Sequence, residues 1–334
     1  MNIDIHHHAL PEGYFDAIKA DGLFGTSRFE TDSNGVSWIT STGPAHAGSG
    51  YRERYHRSMH DLDEIIADMD AMSLDVAAIS PVPPTNPYGM PPQTAEKVCE
   101  ILNRGLSEMA RAKPDRLVAL ASVPLQDGKR AAIVLERAVK ELGMRGAEIL
   151  SHADGRNLDD PLLFPFFEKA AELQVPLFMH PHTGLVTERL DRYYFRNLVG
   201  LPTETAIAAG SLIFGAVLDR LPDLVVILAH GGGYFPYQLG RLDHGWAVRD
   251  EGKVNLKRQP SEAARQLYFD NLIHNGESLA FLVNRFGSHR VVLGTDHPFD
   301  MGCYRPVEEV KELDLPLAAE RQICGENLRA LLRL

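Results

Sequence analysis

The sequence predicts an α/β fold of the (β/α)8 barrel type, and three observations support it. Eight short apolar runs of strand length recur along the 334 residues. Segments with helical spacing of apolar residues lie between them, as in a chain of βα units. Histidines or an aspartate follow four of the runs, and the carboxyl ends of barrel strands share the face where active sites are built. The first two observations fit an open doubly wound sheet equally well, so the third favours the barrel.

The predicted strands are mostly apolar throughout rather than alternating, which is typical of strands buried on both faces of a parallel sheet. They cover residues 1–5, 76–82, 117–123, 146–150, 175–179, 224–229, 267–270 and 291–294. Segments such as 62–72 and 131–142 repeat apolar residues at helical spacing. Asp61 and Glu64 have the spacing of a capping box at the start of the first of these. We therefore expect crossover helices between the strands.

We predict one domain over residues 1–334, because barrels of this kind commonly exceed the usual domain length. Residues 9–60 form a long insertion after the first strand, rich in Gly, Ser, Thr, His and aromatic residues. Insertions of this length often serve as lids or binding surfaces, so we expect a lid. Phe24, Phe29 and Trp38 are candidates to close over a flat substrate or to pack the lid against the barrel.

Composition argues against several classes of protein. A formal net charge of −11 leaves no broad basic surface for binding nucleic acid. No stretch approaches the roughly 20 apolar residues that cross a bilayer, and the histidine-rich start does not resemble an export signal. The cysteines Cys99, Cys303 and Cys324 are odd in number and lack CxxC spacing. We expect a soluble protein of the reducing cytoplasm.

The first strand ends in a histidine pattern that suits metal binding. Side chains alternate along a strand, so His6 and His8 share one face while His7 points to the other. Three other strands are followed in the same way by His180, His230 and Asp296. A single histidine is commonly satisfied by a backbone partner, but four strand ends on one barrel face indicate a common site.

The residue types suggest a division of labour at this site. The imidazoles of His6, His8 and His180 and the carboxylate of Asp296 form a ligand set that suits zinc, with a position left for water or substrate. Manganese or another divalent ion is the alternative. Because imidazole titrates near neutral pH, His230 suits proton transfer, with Asp296 as its partner.

Longer strings extend this pattern into a resemblance to the amidohydrolase superfamily. That family has the HxH pattern on the first strand, histidines after the fifth and sixth strands, and an aspartate after the eighth. Within it, the chain resembles the amidohydrolase 2 group, which contains the 2-amino-3-carboxymuconate-6-semialdehyde decarboxylases and related decarboxylases. The strings span nearly the whole chain: IDIHHH (3–8), VPLQD (123–127), PTET (202–205), HGGG (230–233), GR (240–241) and LGTDHPF (293–299).

The resemblance implies a metal count and a way of holding the substrate. Binuclear members bridge two metals through a lysine at the fourth strand, and residues 146–150 contain none, so one metal per subunit is expected. Two arginines grip the substrate carboxylate in this family, and Arg52 and Arg241 stand in the matching contexts, although Arg54 and Arg57 lie close to the first. Arg241 is expected to serve a neighbouring subunit, which implies a homodimer.

The resemblance further implies non-oxidative decarboxylation of a small unsaturated or aromatic carboxylic acid, as in aromatic-compound degradation. A hydrolase of a lactone, amide or imine, or a hydratase of an unsaturated dicarboxylate, would use the same barrel and metal. A non-catalytic protein with a structural ion is a rival of another class, but such a site would be closed and would need no arginines. His297 stands where the family commonly has tyrosine, and we expect His7, His182 and His297 to form hydrogen bonds behind the ligands.

Overall fold

The computed structural model of the chain describes residues 1–20, 27–41, 52–182 and 188–334, with the side chains of residues 27, 41 and 52 outside the description. The strands in these ranges are β1 (Ile3–Ala9), β2 (Ser27–Thr31), β3 (Ser37–Ser41), β4 (Arg52–Arg54), β5 (Val76–Pro81), β6 (Leu117–Ala119), β7 (Ala147–Leu150), β8 (Leu177–His180), β9 (Val226–Leu228), β10 (Tyr268–Asp270) and β11 (Val291–Val292).

The α-helices of the described residues lie mainly between the barrel strands. They are α1 (Tyr14–Ala20), α2 (Leu62–Ala71), α3 (Pro92–Ala112), α4 (Gly128–Lys140), α5 (Phe164–Leu173), α6 (Leu201–Phe214), α7 (Val217–Arg220), α8 (Phe235–Val248), α9 (Pro260–Ala263), α10 (Gly276–Phe286), α11 (Pro306–Lys311), α12 (Leu317–Arg321) and α13 (Asn327–Leu332). Among them, none has both the length and the apolar content to span a bilayer.

Eight parallel strands close into a barrel. One set has the order β1-β5-β6 and the other β7-β8-β9-β10-β11. Backbone hydrogen bonds join the sets at both seams: Ile5 N donates to Leu293 O at 3.1 Å, and Ala121 N donates to Gly146 O at 2.9 Å. The (β/α)8 barrel expected from the sequence is confirmed, and each barrel strand overlaps one of the predicted runs.

β1 runs through the three histidines to Ala9, as the predicted alternation of His6 and His8 requires, and so extends beyond the apolar run of residues 1–5. His7 and His8 remain paired with β5, after a shift of register that follows Asp4. The apolar run ends at residue 5 because the residues that continue the strand are polar histidines. In the structure the barrel wall buries them, while the strand ladder satisfies their backbone groups.

The helices pack around the barrel through one apolar face each. α2 buries Ile65 and Met69, and its first turn is held by Asp61, whose side chain accepts hydrogen bonds from the backbone nitrogens of Asp63 and Glu64. The capping-box spacing in the sequence predicted this start. A capping residue of this kind stabilises a helix by about 1 kcal/mol.

The C-terminal helix closes the amino end of the barrel. α12 and α13 are joined by a π-helical segment, Gln322–Glu326, into one continuous helical stretch. Leu328 and Leu332 are buried against Ile3 and Ile5 at the start of β1. This apolar plug leaves the carboxyl ends of the strands as the open face.

The described part of the insertion is folded. It contains α1 and an antiparallel sheet of order β2-β3-β4. Ile39 and Met59 are buried against Val82 and Phe299, which follow β5 and β11 at the carboxyl end of the barrel. The sequence did not predict this sheet, because its strands are short and largely polar and so lack an apolar pattern.

The aromatic residues of the insertion serve its own packing where they are described. The ring centroid of Phe29 lies 5.6 Å from that of Phe15 and 5.1 Å from that of Tyr55. Trp38 Nε1 donates to Asp32 Oδ2 at 2.9 Å. Phe24 lies outside the described residues.

We expect Leu328→Ala to lower the free energy of unfolding by about 2–5 kcal/mol, because it removes a fully buried side chain from the plug. Urea denaturation followed by circular dichroism measures the change. Leu317→Ala is the control, since Leu317 is 59% exposed on the same helical stretch. Its effect should stay within about 0.5 kcal/mol. Equal losses in the two variants would show that the plug does not hold the barrel.

Candidate active site and metal centre

Four buried side chains converge at the carboxyl end of the barrel. His6 and His8 lie on β1, His180 ends β8 and Asp296 follows β11. One ligand atom of each lies within 4.8 Å of the others. The structure thus brings together the four residues that the sequence placed on one face, and their role as metal ligands stays a prediction. We call them the ligand cluster.

The three imidazoles of the ligand cluster are oriented in the same way. His6 Nδ1 lies 2.8 Å from Asp270 Oδ2, and His8 Nδ1 lies 3.0 Å from the carbonyl oxygen of Pro81. His180 Nδ1 lies 2.8 Å from the carbonyl oxygen of the next residue. Each partner accepts a hydrogen bond from Nδ1, so Nε2 is the nitrogen of each ring that is left available to a metal. Metal-binding histidines are commonly fixed in this manner.

The centre of the ligand cluster holds buried atoms without hydrogen-bond partners in the protein. They are Nε2 of His6, Nε2 of His8 and Oδ1 of Asp296, among the described residues. Asp296 Oδ1 lies 3.1 Å from each of the two nitrogens. Unpartnered buried polar atoms are costly, and a divalent cation would satisfy all three at once. Three imidazoles and one carboxylate fit such an ion, and zinc is the ion that this donor set suits.

The charges within the ligand cluster also suit a cation. Burial raises the pKa of Asp296, but the charge of His6 and the hydrogen bond from His230 outweigh it and hold the pKa well below its usual range. Burial lowers the pKa of His6, yet Asp296 and Asp270 raise it to about 10. Burial beside three other imidazoles holds the pKa of His180 well below its ordinary value. The carboxylate is therefore paired with positive charge at the centre, which a divalent cation supplies equally well.

Glu148 on β7 occupies the strand that carries a bridging lysine in binuclear relatives. It is fully buried, accepts a hydrogen bond from Asn86 Nδ2 at 3.0 Å, and lies 3.6 Å from His8 Nδ1. Burial raises the pKa of this carboxyl, and His8 offsets part of the effect. The described residues contain a single group of side chains able to hold a metal, and the expectation of one ion per chain stays a prediction.

His230 lies on a tight turn after β9. Its φ is +55°, and Gly231 follows with a φ of +58°, a region that favours glycine. A Cβ at Gly233 would lie 2.4 Å from the carbonyl oxygen of Pro202, so the chain approaches too closely for a side chain. The turn is tied to the barrel by Gly231 N, which donates to Asp270 Oδ1 at 2.7 Å.

The imidazole of His230 stands between the ligand cluster and the solvent. Its ring centroid lies 5.0 Å from that of His6 and 5.2 Å from that of His180. Nε2 lies 3.4 Å from Asp296 Oδ2, the carboxylate oxygen that faces away from the cluster centre. The side chain is 20% exposed, whereas His6 is fully buried. Compared with His6, His8 and His180, the imidazole of His230 is therefore the most accessible to a small molecule.

An open cavity of about 70 Å³ lies over His230. Its described lining includes apolar and neutral polar groups, namely Pro83, Pro84, His182, Tyr194, Asn197, Leu201, Phe299 and Met301. Glu53 and Asp300 add two acids. None of the described lining residues is an arginine or a lysine. An adjoining cavity continues past Tyr234 and His274 and shares His230 with the first.

The two arginines expected to bind the substrate are not brought into this cavity by the described residues. Arg241 is exposed on α8 and is not among the lining residues. The backbone of Arg52 pairs with Thr40 at the start of β4, next to Glu53, but its side chain lies outside the description. The substrate-binding roles of both arginines stay predictions.

The three additional histidines divide into two groups. His7 and His297 stack on each other with ring centroids 4.3 Å apart, and they contact Asp4 and Asp68 at 3.0 and 2.9 Å. This pair faces the outer side of the barrel wall, towards α2. His182, by contrast, is buried in the lining of the cavity. His182 therefore faces the cavity, and its expected role of forming hydrogen bonds behind the ligands stays a prediction.

Asp270 is the residue that the sequence analysis did not single out. It ends β10, is fully buried and contacts both His6 and the turn of His230. The sequence does contain a signal for Asp270: it ends the seventh apolar run, and a carboxylate is unusual in a strand buried on both faces. Tyr194 and Asn197, which line the cavity, had no comparable signal in the sequence.

Comparisons with known proteins agree with the geometry. The family model Amidohydro_2, described as amidohydrolase, matches residues 3–334. The chain is 35% identical to a 2-amino-3-carboxymuconate-6-semialdehyde decarboxylase of Dictyostelium discoideum, over 93% of this chain and 86% of that protein. A crystal structure of an IDCase from Metarhizium anisopliae in its apo form has a TM-score of 0.85 and 25% identity, covering 100% of this chain and 97% of that chain.

A further solved structure extends the comparison to a protein with a bound metal. It is a dihydroxybenzoic acid decarboxylase of a Polaromonas species, with bound manganese and the inhibitor 2-nitroresorcinol. Its TM-score is 0.81 at 22% identity, over 100% of this chain and 97% of that chain, which shows the shared fold. The resemblance inferred from the sequence strings is confirmed. The chain belongs to the amidohydrolase family.

Proposed function

We propose that this chain is a metal-dependent, non-oxidative decarboxylase of a small unsaturated or aromatic carboxylic acid. The observation that carries the proposal is the position of His230 between the ligand cluster and an open cavity. This arrangement offers a proton donor beside a metal site, with room for one small substrate. The relatives described above are named as decarboxylases, which supports this reaction over hydrolysis or hydration on the same barrel.

We infer that the ligand cluster holds one zinc ion. Its three imidazoles are borderline donors and its carboxylate is a hard donor, and zinc accepts this combination readily. Manganese is the alternative and is supported by the ion bound in the Polaromonas protein. When bound, the metal supplies Lewis-acid chemistry to a substrate oxygen that reaches the cluster.

A carboxylate substrate requires positive charge at the cavity. The described wall supplies none, and Glu53 and Asp300 add negative charge. Arg52 directly precedes Glu53 on β4, and Arg241 lies on α8. We propose that these two guanidinium groups hold the substrate carboxylate, because their fork-shaped donors form two parallel hydrogen bonds with it.

The proposed reaction protonates the carbon that bears the carboxylate. His230 holds the proton at Nε2, and Asp296 Oδ2, 3.4 Å away, orients the ring. The proton passes to the substrate carbon. The bond to the carboxylate then breaks, its electron pair returns to the conjugated system, and neutral carbon dioxide leaves. His230 regains a proton from water through the open cavity, so the reaction consumes one proton and needs no oxidant.

In this proposal residues 1–334 form one barrel domain, and residues 9–60 act as its lid. Ile39 and Met59 anchor the described part of the insertion at the carboxyl end of the barrel, and Glu53 lines the cavity. A lid held at this position covers the substrate and limits the access of water to the reacting carbon.

We propose a homodimer in which Arg241 of one subunit reaches the cavity of the other. Tyr237 and Val248 are 80% and 61% exposed, and they lie four residues before and seven after Arg241, on one face of α8. Phe281 extends this face, with its ring centroid 6.3 Å from that of Tyr237. Exposed aromatic side chains around an arginine are typical of protein interfaces.

We also place the enzyme in the cytoplasm. Cys99, Cys303 and Cys324 are free and buried, which is the usual state of cysteines in a reducing compartment.

We expect His180→Gln to weaken zinc binding by more than about 100-fold, because the loss of a ligand exceeds the 10- to 100-fold effect of losing an outer partner. Competition with a chromophoric chelator measures the affinity. His182→Gln is the matched control, since His182 is buried in the cavity lining two residues away and should leave zinc affinity unchanged. A His180→Gln protein that binds zinc as tightly as the wild type would contradict the proposed metal site.

We expect zinc-loaded protein to release carbon dioxide from at least one member of a panel of hydroxybenzoates and carboxymuconate semialdehydes. Metal-stripped protein should release none. His230→Ala should lower kcat by about 10²- to 10⁴-fold while retaining zinc, because it removes only the proton donor. The absence of release by protein with confirmed zinc content would refute the decarboxylase proposal, and a fully active His230→Ala protein would refute the role of His230.

The homodimer leads us to expect recovery of activity in a mixing experiment. Arg241→Gln and His230→Ala dimers should each be inactive. A hybrid dimer has one site with an intact His230 and an Arg241 from its partner. Random exchange of subunits makes half the dimers hybrids, so about one quarter of wild-type activity should return. If Arg241 acts within its own subunit, mixing restores nothing, and light scattering that finds active monomers would also exclude the arrangement.

A further inference from the structure

We propose that Asp270 is a positioning residue that joins the ligand cluster to the turn carrying His230. The inference rests on the proposed metal site but not on the identity of the reaction. One buried carboxylate would fix the position of His6 relative to that of His230.

The two oxygens of Asp270 hold different parts of the site. Oδ2 lies 2.8 Å from Nδ1 of His6, whose Nε2 faces the cluster centre. Oδ1 accepts hydrogen bonds from Gly231 N at 2.7 Å and from Leu272 N at 3.2 Å. Gly231 directly follows His230, so one side chain contacts both a predicted ligand and the turn of the proposed proton donor.

The surroundings leave Asp270 little freedom. The residue is fully buried at the end of β10. A Cβ at Gly294 would lie 2.7 Å from Asp270 Cβ and 2.9 Å from Oδ2, so the neighbouring strand segment is packed directly against the carboxylate. Because the side chain of Asp270 has little room to move, it fixes the positions of His6 and of the turn that carries His230.

Asp270 determines which nitrogen of His6 carries the proton. Oδ2 of Asp270, 2.8 Å from Nδ1 of His6, accepts its hydrogen bond, so Nε2 is the nitrogen left for a metal. His8 and His180 receive the same orientation from backbone carbonyl oxygens. His8 Nδ1 has Ser80 Oγ and Glu148 Oε2 nearby at 3.4 and 3.6 Å, but its nearest described partner is the backbone oxygen of Pro81. The nearest described partner of His6 Nδ1 is a side chain, which makes the orientation of His6 sensitive to a single substitution.

Asp270 also stabilises a turn that the backbone does not favour. His230 has a positive φ, which strains the backbone of a residue with a Cβ. The hydrogen bond from Gly231 N to a buried carboxylate offsets this strain. Loss of the carboxylate should therefore let His230 depart from its position beside Asp296.

Asp270→Asn separates the two effects with almost no change of shape. The amide oxygen should stay with the two backbone donors, because two hydrogen bonds outweigh one. The amide NH2 then faces His6 Nδ1 and can only donate, which forces the proton of His6 onto Nε2 and blocks metal binding there. We expect zinc affinity, measured by chelator competition, to fall about 10- to 100-fold.

Asp68→Asn is the matched control. Asp68 Oδ2 lies 2.9 Å from Nε2 of His297, so the same chemical change is made beside a histidine outside the ligand cluster. Zinc affinity should be unchanged in this variant. At saturating zinc, we further expect Asp270→Asn to change kcat little, because its amide oxygen still accepts from Gly231 N. Asp270→Ala removes that acceptor and loosens the turn of His230, so at saturating zinc it should lower kcat more than it raises KM.

A measurement on the wild-type protein keeps the inference testable if Asp270→Asn fails to fold. Nitrogen-15 NMR of the zinc-loaded protein should show a proton on Nδ1 of His6. An unprotonated Nδ1, or wild-type zinc affinity in Asp270→Asn, would overturn the inference. Failure of the wild-type protein to bind zinc would instead contradict the proposed metal site, so the two failures are distinguishable.

Discussion

The structure depends on one constraint: polar atoms buried at the carboxyl end of a closed parallel barrel must each find a partner. Nε2 of His6 and His8 and Oδ1 of Asp296 find none within the described protein, whereas the opposite nitrogens of the imidazoles are all held. An unsatisfied buried polar atom costs about 1–3 kcal/mol. A cation at the centre removes this cost for the whole group, so the geometry is that of a site built around an ion.

The barrel separates the part that stabilises the fold from the part that carries the chemistry. At the amino end, Leu328 and Leu332 fill the interior with apolar side chains and need no hydrogen bonds. At the carboxyl end, the ligand cluster, Asp270 and His230 replace apolar packing with oriented polar contacts. The apolar end offsets the destabilising effect of the polar end, which allows strained features such as the positive φ of His230 to persist.

The sequence predicts a residue's position in the barrel where that position follows from its place on a strand. Parallel strands buried on both faces leave continuous apolar runs, so the eight strands and the barrel were predictable. His6, His8, His180 and Asp296 were predictable for the same reason, because they stand at strand ends that share one face. The alternation of a strand also separated His7, which stacks on the other side of the barrel wall.

Other features depend on contacts that are distant along the chain. The pairing of Asp270 with His6 joins β10 to β1 across the barrel, and no local pattern in the sequence reveals which strand end meets which. The sheet of the insertion has short polar strands without apolar alternation, so it left no periodic signal. Arg241 lies on an exposed face of α8, so its proposed role in binding the substrate requires the cavity of a second subunit in the proposed homodimer.

We propose that three imidazoles and one carboxylate of this chain bind a single ion. X-ray absorption at the zinc edge of the zinc-loaded protein measures which atoms surround the metal. We expect one zinc per chain, surrounded by three imidazole nitrogens and carboxylate oxygen at about 2.0–2.2 Å. A sulfur ligand at about 2.3 Å, or fewer than three imidazoles around the metal, would contradict it.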